Sequence, residues 1–293
     1  IKIGSYPTRE HLGLIFAFLG EGDVPEFPTY PDWEGIERTL DAHTRYCNYF
    51  QWLENHTDPM HNPFVHHQTW RGEGRPDVTK MPTIVSEEVE WGIQSRIIEP
   101  TGGERLYFMG MPNVHEKRRG ARAGQEQGKY GDGRTVLGSI SWNVPIDDES
   151  NVEFRIDPVK RDDEEKDTQQ TEAYDKKIAE MVDAVISGRM KVDEAERLAA
   201  SDQELGHIRE GVVRGGTFNL QDGIAQVGQG LSWFTNDDQE HLGREDTCVI
   251  AFRKLWYREL QALADGKPLT RWFRPEWSYG TEEGDWRAQG STS

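Results

Sequence analysis

The sequence predicts an α+β fold, in which helices pack on an antiparallel β-sheet. Between residues 83 and 158, segments rich in strand-forming residues follow one another, mostly across short turns, which is typical of antiparallel pairing. Beyond residue 170 the composition changes, and apolar residues recur at helical spacing. No internal repeat is evident, so a single sheet combined with helices is the simplest architecture.

The N-terminal part contributes short strands and one helix. Residues 1–7 (IKIGSYP) and 12–20 (LGLIFAFLG) are predicted strands, and the Pro/Gly-rich stretch 20–35 is a connector. Helical spacing over Arg45–Glu54 predicts a helix that leads directly into the segment ENHTDPMHNPFVHH.

The predicted sheet is supplied by four segments, which are residues 83–99, 104–113, 137–147 and 151–158. The first alternates apolar and polar residues over part of its length, and the others are rich in strand-favouring residues. Residues 116–135 are polar and Gly-rich, so we expect a loop there.

The C-terminal half supplies three amphipathic helices, over residues 171–190, 192–211 and 246–266. The last is long and ends at Gly266, a residue type that commonly terminates helices. The aromatic stretch RWFRPEW that follows is expected to make a packing or subunit contact.

The overall charge excludes some classes of partner. The formal net charge is −18, so a nucleic acid or an anionic membrane surface would be repelled. The longest apolar run near the N-terminus is too short to cross a bilayer. The two cysteines, Cys47 and Cys248, lie far apart and form no disulfide framework, which favours a reducing, cytoplasmic location.

The segment Glu54–His67 concentrates side chains that can bind a metal. Two histidines and one carboxylate suit Fe(II) with coordination positions left open for O2. The candidates His61 and His66 are five residues apart, so on an ideal helix they would point about 140° apart. Pro63 lies between them and is expected to break the helix, which would turn His66 back toward His61.

Asp58 precedes His61 by three residues, a same-face spacing on a helical turn. It could bind the metal, or it could orient His61 by accepting the other ring N–H. Asn55 lies three residues earlier on the same stripe. The spacing leaves both roles of Asp58 open.

The pattern Asn55-x-x-Asp58-x-x-His61-x4-His66 resembles the mononuclear-iron motif of Rieske non-haem iron oxygenase α subunits. Residues 6–28 resemble the junction between the Rieske and catalytic domains of that family. Residues 217–255 resemble the C-terminal block of its phthalate dioxygenase-like branch, which includes aromatic O-demethylases. The resemblance covers most of the chain, although the strands and residues 168–211 match loosely, and it implies a helix-grip, START-like catalytic domain.

The resemblance implies that the third iron ligand is an Asp far along the chain. Asp222 in LQDGIAQ fits best, because it is expected to open the helix that precedes EHLGREDT. Asp246 in GREDTC is the competing candidate. Either residue could instead be an ordinary N-cap or first-turn acid of a helix.

A Rieske [2Fe–2S] cluster needs two Cys and two His, and the family pattern is Cys-x-His followed by Cys-x-x-His. Neither Cys47 nor Cys248 has such a neighbour. We therefore expect the cluster from a domain absent from this sequence, or from another chain. Residues 1–30 are predicted to be the remnant of a Rieske-domain end and linker, and residues 31–293 the mononuclear-iron catalytic domain.

The resemblance implies the following activity. His61, His66 and Asp222 would hold Fe(II), Asp58 would carry electrons from a Rieske histidine of a neighbouring subunit, and Asn55 would stand close to the iron. NAD(P)H would supply the electrons through a reductase or ferredoxin, and O2 would hydroxylate or O-demethylate a small aromatic substrate. The resemblance also implies a homotrimer.

Two other functions are open at this point. His56-Thr57-Asp58 is a literal HxD, as in 2-oxoglutarate-dependent iron oxygenases, with His207 as a distal histidine and Arg209 nearby. Alternatively, a sheet that grips a long helix can form an apolar cavity for a hydrophobic ligand without any catalysis.

Overall fold

A seven-stranded antiparallel sheet is the centre of the molecule, and its strands follow the order β3-β9-β8-β7-β6-β5-β4. The computed structural model describes residues 5–20, 22–66, 81–98, 100, 104–119, 137–158, 180–181, 183–185, 187–191, 194, 216–230 and 240–274. The sheet strands are β3 Arg38–Arg45, β4 Thr83–Val89, β5 Gly92–Ile98, β6 Glu104–Gly110, β7 Val114–Arg119, β8 Leu137–Pro145 and β9 Asn151–Pro158. A separate hairpin pairs β1 Thr8–His11 with β2 Leu14–Ala17.

Four α-helices can be followed without a gap in the part of the chain that is described: α1 Tyr49–Thr57, α2 His61–Val65, α3 Gly216–Gln229 and α4 Thr247–Ala264. Helix α4 packs on β4 and β5, and α1 packs on β6 and β8 and also contacts α3 and α4. The predicted α+β class, an antiparallel sheet with helices packed on it, is confirmed.

The sheet has two unlike sides. The helix side, which faces α1 and α4, buries Ile93 and Met109 against Leu53, Phe252 and Leu255. The opposite side buries a larger aromatic cluster against the N-terminal segment. That cluster includes Tyr30, Trp33, Phe108, Ile140, Trp142 and Ile156.

The N-terminal elements begin later than the sequence predicts. Of the strand predicted over residues 1–7, residues 1–4 lie outside the described part of the chain and residues 5–7 are not in a strand, so the first described strand is β1 at Thr8–His11. The helix predicted from Arg45 begins at Tyr49, because Arg45 is the last residue of β3 and Asn48 caps the helix. The Asn48 carboxamide oxygen accepts a hydrogen bond from the Phe50 backbone N–H at 2.9 Å.

Two boundaries inside the sheet also differ from the prediction. Residues 83–99 form two strands, because the chain turns at Glu90–Trp91 into Gly92, whose φ is +145°. A β-carbon at Gly92 would lie 2.0 Å from the Met109 carbonyl oxygen, so only glycine fits there. The predicted loop 116–135 begins too early, since Glu116–Arg119 continue strand β7.

The C-terminal helix is confirmed almost residue for residue, with Asp246 at its N-cap position and Gly266 at φ +65° just beyond its end. Of the helix predicted over 171–190, residues 180–181 and 183–185 are helical. The helix predicted over 192–211 lies outside the described residues, apart from Glu194.

Candidate metal centre

Three side chains converge where α2 meets α3. One ligand atom from each of His61, His66 and Asp222 can be chosen so that the three atoms lie within 4.8 Å of one another. Asp222 Oδ1 is 3.0 Å from His66 Nε2 and 3.6 Å from His61 Nε2. This mixture of two imidazole nitrogens and one carboxylate oxygen is a donor set that first-row transition metals accept.

The local chain path explains why the two histidines meet. Helix α1 ends at Thr57, and Asp58 then accepts hydrogen bonds from the backbone N–H groups of Met60 (2.7 Å) and His61 (3.0 Å). Asp58 therefore starts α2 in the manner of a helix cap. His66 follows the last helical residue, and its ring lies 5.2 Å from that of His61, at 80°.

Pro63 does not break the helix, contrary to the prediction. It is the third residue of α2, where a backbone N–H would have no partner inside the helix. The helix instead ends at Val65, after five residues. Because α2 is so short, His61 and His66 occupy its two ends and both reach toward α3.

Asp222 does not open a helix as predicted, because it lies in the middle of α3. The residue before it, Gln221, places its Oε1 atom 2.8 Å from His66 Nδ1. The amide oxygen can only accept, so this contact favours a proton on Nδ1 and leaves Nε2 directed at Asp222. Gln51 links α1 to α3, because its side-chain amide donates a hydrogen bond to the Gln226 carbonyl oxygen at 2.8 Å.

The electrostatics of the centre suit a cation. Burial alone would raise the pKa of Asp222, but contact with His66 and the charge of His61 lower it below its ordinary value. Burial alone would lower the pKa of His61, but the carboxylates of Asp58 and Asp222 outweigh burial and raise it. The ionised form of Asp222 is therefore favoured, and a metal ion would compete with a proton for His61.

The cluster also has a polar atom that a metal would satisfy. Asp222 Oδ1 is buried and makes no hydrogen bond of acceptable geometry with the described residues. Asp222 Oδ1 is the atom on which the two Nε2 atoms converge. Buried polar atoms without partners cost free energy, so the three groups fit a bound metal ion better than an empty site.

The structure places Asp58 beside the cluster, not within it. Its Oδ2 is 3.7 Å from His61 Nδ1, too long for a hydrogen bond, and its side chain is 22% exposed. Asn55, the other residue of the predicted motif, is half-buried on α1 and makes no hydrogen bond with a described side chain.

Asp246, the competing third ligand, lies apart from the histidines at the start of α4. Its Oδ2 accepts a hydrogen bond from the Gly243 N–H at 2.7 Å. It lines a 500 Å³ open cleft that reaches the outer side of the metal cluster. The cleft is bounded by Asp58, Met60, His61, Phe64, Met81, His241, Gly243, Glu245 and Asp246.

The HxD interpretation is not favoured by the position of His56. Its ring stacks on His115 of β7, with centroids 4.2 Å apart, and its Nε2 lies 3.5 Å from Glu153 of β9. His56 thus points into the sheet and does not join a site with Asp58. His67, His207 and Arg209 lie outside the described residues.

Sequence reasoning missed Gln221, whose position next to Asp222 is its only signal. The two cysteines, Cys47 and Cys248, are buried and free.

Known proteins with similar sequences are oxygenase subunits. The chain is 25% identical over 277 residues to the 5,5'-dehydrodivanillate O-demethylase oxygenase subunit of Sphingobium sp. strain SYK-6, covering 91% of this chain and 54% of that protein. It is 27% identical over 191 residues to the tert-butanol monooxygenase / tert-amyl alcohol desaturase oxygenase subunit of Aquincola tertiaricarbonis, covering 56% and 39%. The chain therefore spans about half the length of these relatives or less. No protein-family model matches it.

Solved oxygenases share the fold. Dicamba monooxygenase bound to 3,6-dichlorosalicylic acid superposes with a TM-score of 0.55 at 11% identity, covering 89% of this chain and 71% of that one. A mutant of NdmA from Pseudomonas putida CBB5, with caffeine, gives a TM-score of 0.51 at 18% identity, covering 89% and 62%. Together with the oxygenase-subunit relatives, these matches confirm the resemblance drawn from the histidine motif. No helix among the described residues is long and apolar enough to cross a membrane.

Proposed function

We propose that this chain is the mononuclear-iron catalytic part of a Rieske-type oxygenase, which uses O2 to hydroxylate or O-demethylate an aromatic compound. The observation that carries the proposal is the convergence of His61, His66 and Asp222 in a fold shared with solved oxygenases. The similarity to an O-demethylase oxygenase subunit and to a monooxygenase subunit supports the same reaction class.

In this proposal His61 and His66 hold Fe(II) through Nε2, and Asp222 holds it through its carboxylate. The bound iron would supply the site at which O2 is reduced. The protein itself holds the three ligand atoms in position. Gln221 keeps the Nδ1 proton on His66, and burial of Asp222 and His66 excludes water from this side of the centre.

Electron entry is proposed to pass Asp58. Its position beside His61 at the open cleft supports this role, because Asp58 and His61 both line that cleft and the Asp58 side chain is 22% exposed. A neighbouring subunit of a homotrimer would bring its Rieske histidine to this cleft. We include Asn55 as a residue close to the iron only because of its spacing from Asp58 and His61 in the sequence motif.

The remaining components follow from the same proposal. Residues 1–30 would be the end of a Rieske domain and its linker, and residues 31–293 the catalytic domain. A [2Fe–2S] cluster would be supplied by a further domain or another chain, and a reductase or ferredoxin using NAD(P)H would feed it. The cytoplasm is the compartment in which such a reductase would be available.

Iron content tests the proposal directly. After anaerobic addition of Fe(II) and desalting, the wild-type chain should retain about one iron without acid-labile sulfide, because only the mononuclear site is present. Asp222→Ala should lose the iron, since a three-donor site with one donor missing binds weakly. The measurement is metal content by mass spectrometry.

Asp246→Ala is the matched control, because it removes the competing carboxylate at the start of α4 and should keep the iron. Iron loss from Asp246→Ala with retention in Asp222→Ala would reverse the choice of ligand. If the wild-type chain retains no iron, the oxygenase proposal for this chain is contradicted.

A further inference from the structure

One guanidinium contacts two carboxylates beside the open cleft. Arg253 of α4 donates from its two terminal nitrogens to Glu240, at 2.6 and 2.8 Å, and from Nη2 to Glu54 of α1 at 3.1 Å. Its Nε also donates to Glu54. We call this cluster the Arg253 bridge, and define it as Arg253, Glu54 and Glu240. Because the single nitrogen Nη2 contacts both acids, the two carboxylates lie close to each other.

The Arg253 bridge joins the two walls of the cleft. One wall is formed by residues 58–64, which follow the end of α1. Glu54 lies in the last turn of α1, and its carbonyl oxygen accepts a hydrogen bond from the Asp58 N–H at 2.9 Å. The other wall is formed by residues 241–246, and Glu240 directly precedes it. One side chain thus connects a residue next to each wall.

The two ends of the bridge differ in how firmly the surrounding structure holds them. Arg253 follows Phe252, which is 1% exposed and stacks on Phe50 of α1 with ring centroids 5.4 Å apart. Residues 240–245, by contrast, are all exposed. Segments with few buried apolar contacts open most readily, so the position of the second wall depends on polar contacts such as the one from Arg253 to Glu240.

Arg253 also separates two like charges. The Glu54 side chain is 11% exposed. Burial raises the pKa of Glu54, contact with Arg253 opposes the rise, and the charge of Glu240 adds to it. Without the guanidinium, Glu54 and Glu240 would be neighbouring carboxylates that repel each other. The cation therefore turns a repulsion between the two walls into an attraction.

We propose that Arg253 is a positioning residue that sets the separation of the two cleft walls, and thereby the access from solvent to Asp58 and His61. A guanidinium suits this role because its bidentate contacts fix direction as well as distance. The consequence for electron entry past Asp58 rests on the proposed oxygenase function, whereas the effect on the cleft does not depend on iron.

Chemical labelling of His61 in the metal-free chain measures how far the cleft opens. His61 lines the cleft and its side chain is 17% exposed. We would treat the chain with diethyl pyrocarbonate and read the rate at each histidine by peptide mass spectrometry. Arg253→Met should raise the rate at His61 about tenfold, because a charged hydrogen-bond partner is lost and the two acids repel. His43 on the edge strand β3 is the internal reference and should keep its rate.

Variants of Glu240 separate positioning by charge from a purely structural role. Glu240→Ala should raise the rate at His61 only about threefold, since Glu240 is 37% exposed and no repulsion is created. The double variant Arg253→Met/Glu240→Ala should be labelled more slowly than Arg253→Met, because no carboxylate then opposes Glu54. A structural role would make the two increases add. Arg253→Lys keeps a cation and should stay closer to the wild type than Arg253→Met.

Arg258→Met is the matched control, because Arg258 lies on the same helix and pairs with Glu88 of β4 at 2.8 Å. It should leave the rate at His61 unchanged. An unchanged rate in both Arg253→Met and Glu240→Ala, an equal rise in Arg258→Met, a parallel rise at His43, or a double variant labelled faster than Arg253→Met would each overturn the proposal. If Arg253→Met does not fold, Glu240→Ala and Arg258→Met decide the question.

Iron retention distinguishes this proposal from the oxygenase function. If Arg253→Met exposes His61 but the wild-type chain retains no Fe(II), the oxygenase function is contradicted and the bridge stands. If the wild-type chain retains Fe(II) while Arg253→Met leaves the labelling of His61 unchanged, only the positioning role of Arg253 is contradicted.

Discussion

Gln221 accepts a hydrogen bond from Nδ1 of His66 at 2.8 Å, and it immediately precedes Asp222 on α3. One turn of helix thus carries both the carboxylate of the candidate metal centre and the group that orients one of its histidines. Such orienting contacts fix the tautomer and the ring direction of a ligand. At the scale of single residues, the centre therefore depends on a side chain that has no metal-binding chemistry of its own.

Replacing Gln221 by Leu should weaken Fe(II) binding by about 10–100-fold, because His66 loses the acceptor that holds its Nδ1 proton. Gln221→Glu keeps an acceptor and should bind more tightly than Gln221→Leu. The measurement is anaerobic competition with a colorimetric Fe(II) chelator. Gln226→Leu, a buried glutamine on the same helix, is the control. Unchanged affinity in Gln221→Leu would mean that packing alone orients His66.

At the scale of elements, a buried ion pair joins the edge strand β3 to β9. Arg45, the last residue of β3, donates to Glu153 of β9, and its guanidinium also lies 4.1 Å from the Trp52 ring of α1. Burial alone would raise the pKa of Glu153, but the charges of Arg45 and Arg155 hold it at about 2, below the ordinary 4.5. Folding therefore favours the ionised acid, and α1 is fixed over this part of the sheet.

The sign of this shift predicts acid sensitivity. A depressed pKa stabilises the fold above the unfolded-state value of 4.5, and that stability is lost as the pH falls from 4.5 toward about 2. The difference corresponds to about 3 kcal/mol. The free energy of unfolding, measured in urea at several pH values, should fall over this window in the wild type and less steeply in Glu153→Gln.

Asp157→Asn is the control on the same strand, since its carboxylate and its partner Arg155 are about one-third exposed. Its profile should follow the wild type. A Glu153→Gln profile as steep as that of the wild type would show that other carboxylates govern acid unfolding.

At the scale of the whole molecule, a charge network connects segments more than two hundred residues apart. Arg274, from the stretch after α4, pairs with Asp32 (2.8 Å) of the N-terminal segment and with Glu116 (3.1 Å) of β7. Arg118 also pairs with Asp32 at 2.6 Å. The side chains of Arg274, Asp32 and Glu116 are at most 1% exposed. In the described part of RWFRPEW, Arg274 therefore makes a packing contact within the chain.

Arg274→Met should lower the free energy of unfolding by about 3–5 kcal/mol, because Asp32 and Glu116 would then share one buried cation. Chemical denaturation followed by tryptophan fluorescence measures the change. Arg271→Met, three residues earlier and exposed, should cost little. A loss below about 1 kcal/mol in Arg274→Met would mean that the C-terminal stretch is not part of the folded core.

The sequence by itself determined the features that depend on neighbouring residues. Strand-forming segments, the long helix ending at Gly266, and the spacing of Asp58, His61 and His66 are all readable from short windows, because propensity and periodicity are local properties. The strand and helix patterns also predicted the α+β class, and the resemblance drawn from the histidine spacing supplied the reaction class that we propose.

Only the tertiary structure decided which distant groups meet. Asp222 and Asp246 are both acids near helices, and the packing of α3 against α2 brings Asp222 to the histidines while Asp246 lies at the outer cleft. Contacts between residues far apart in the chain depend on how separate helices and strands pack together, which propensity and periodicity within a short window do not specify.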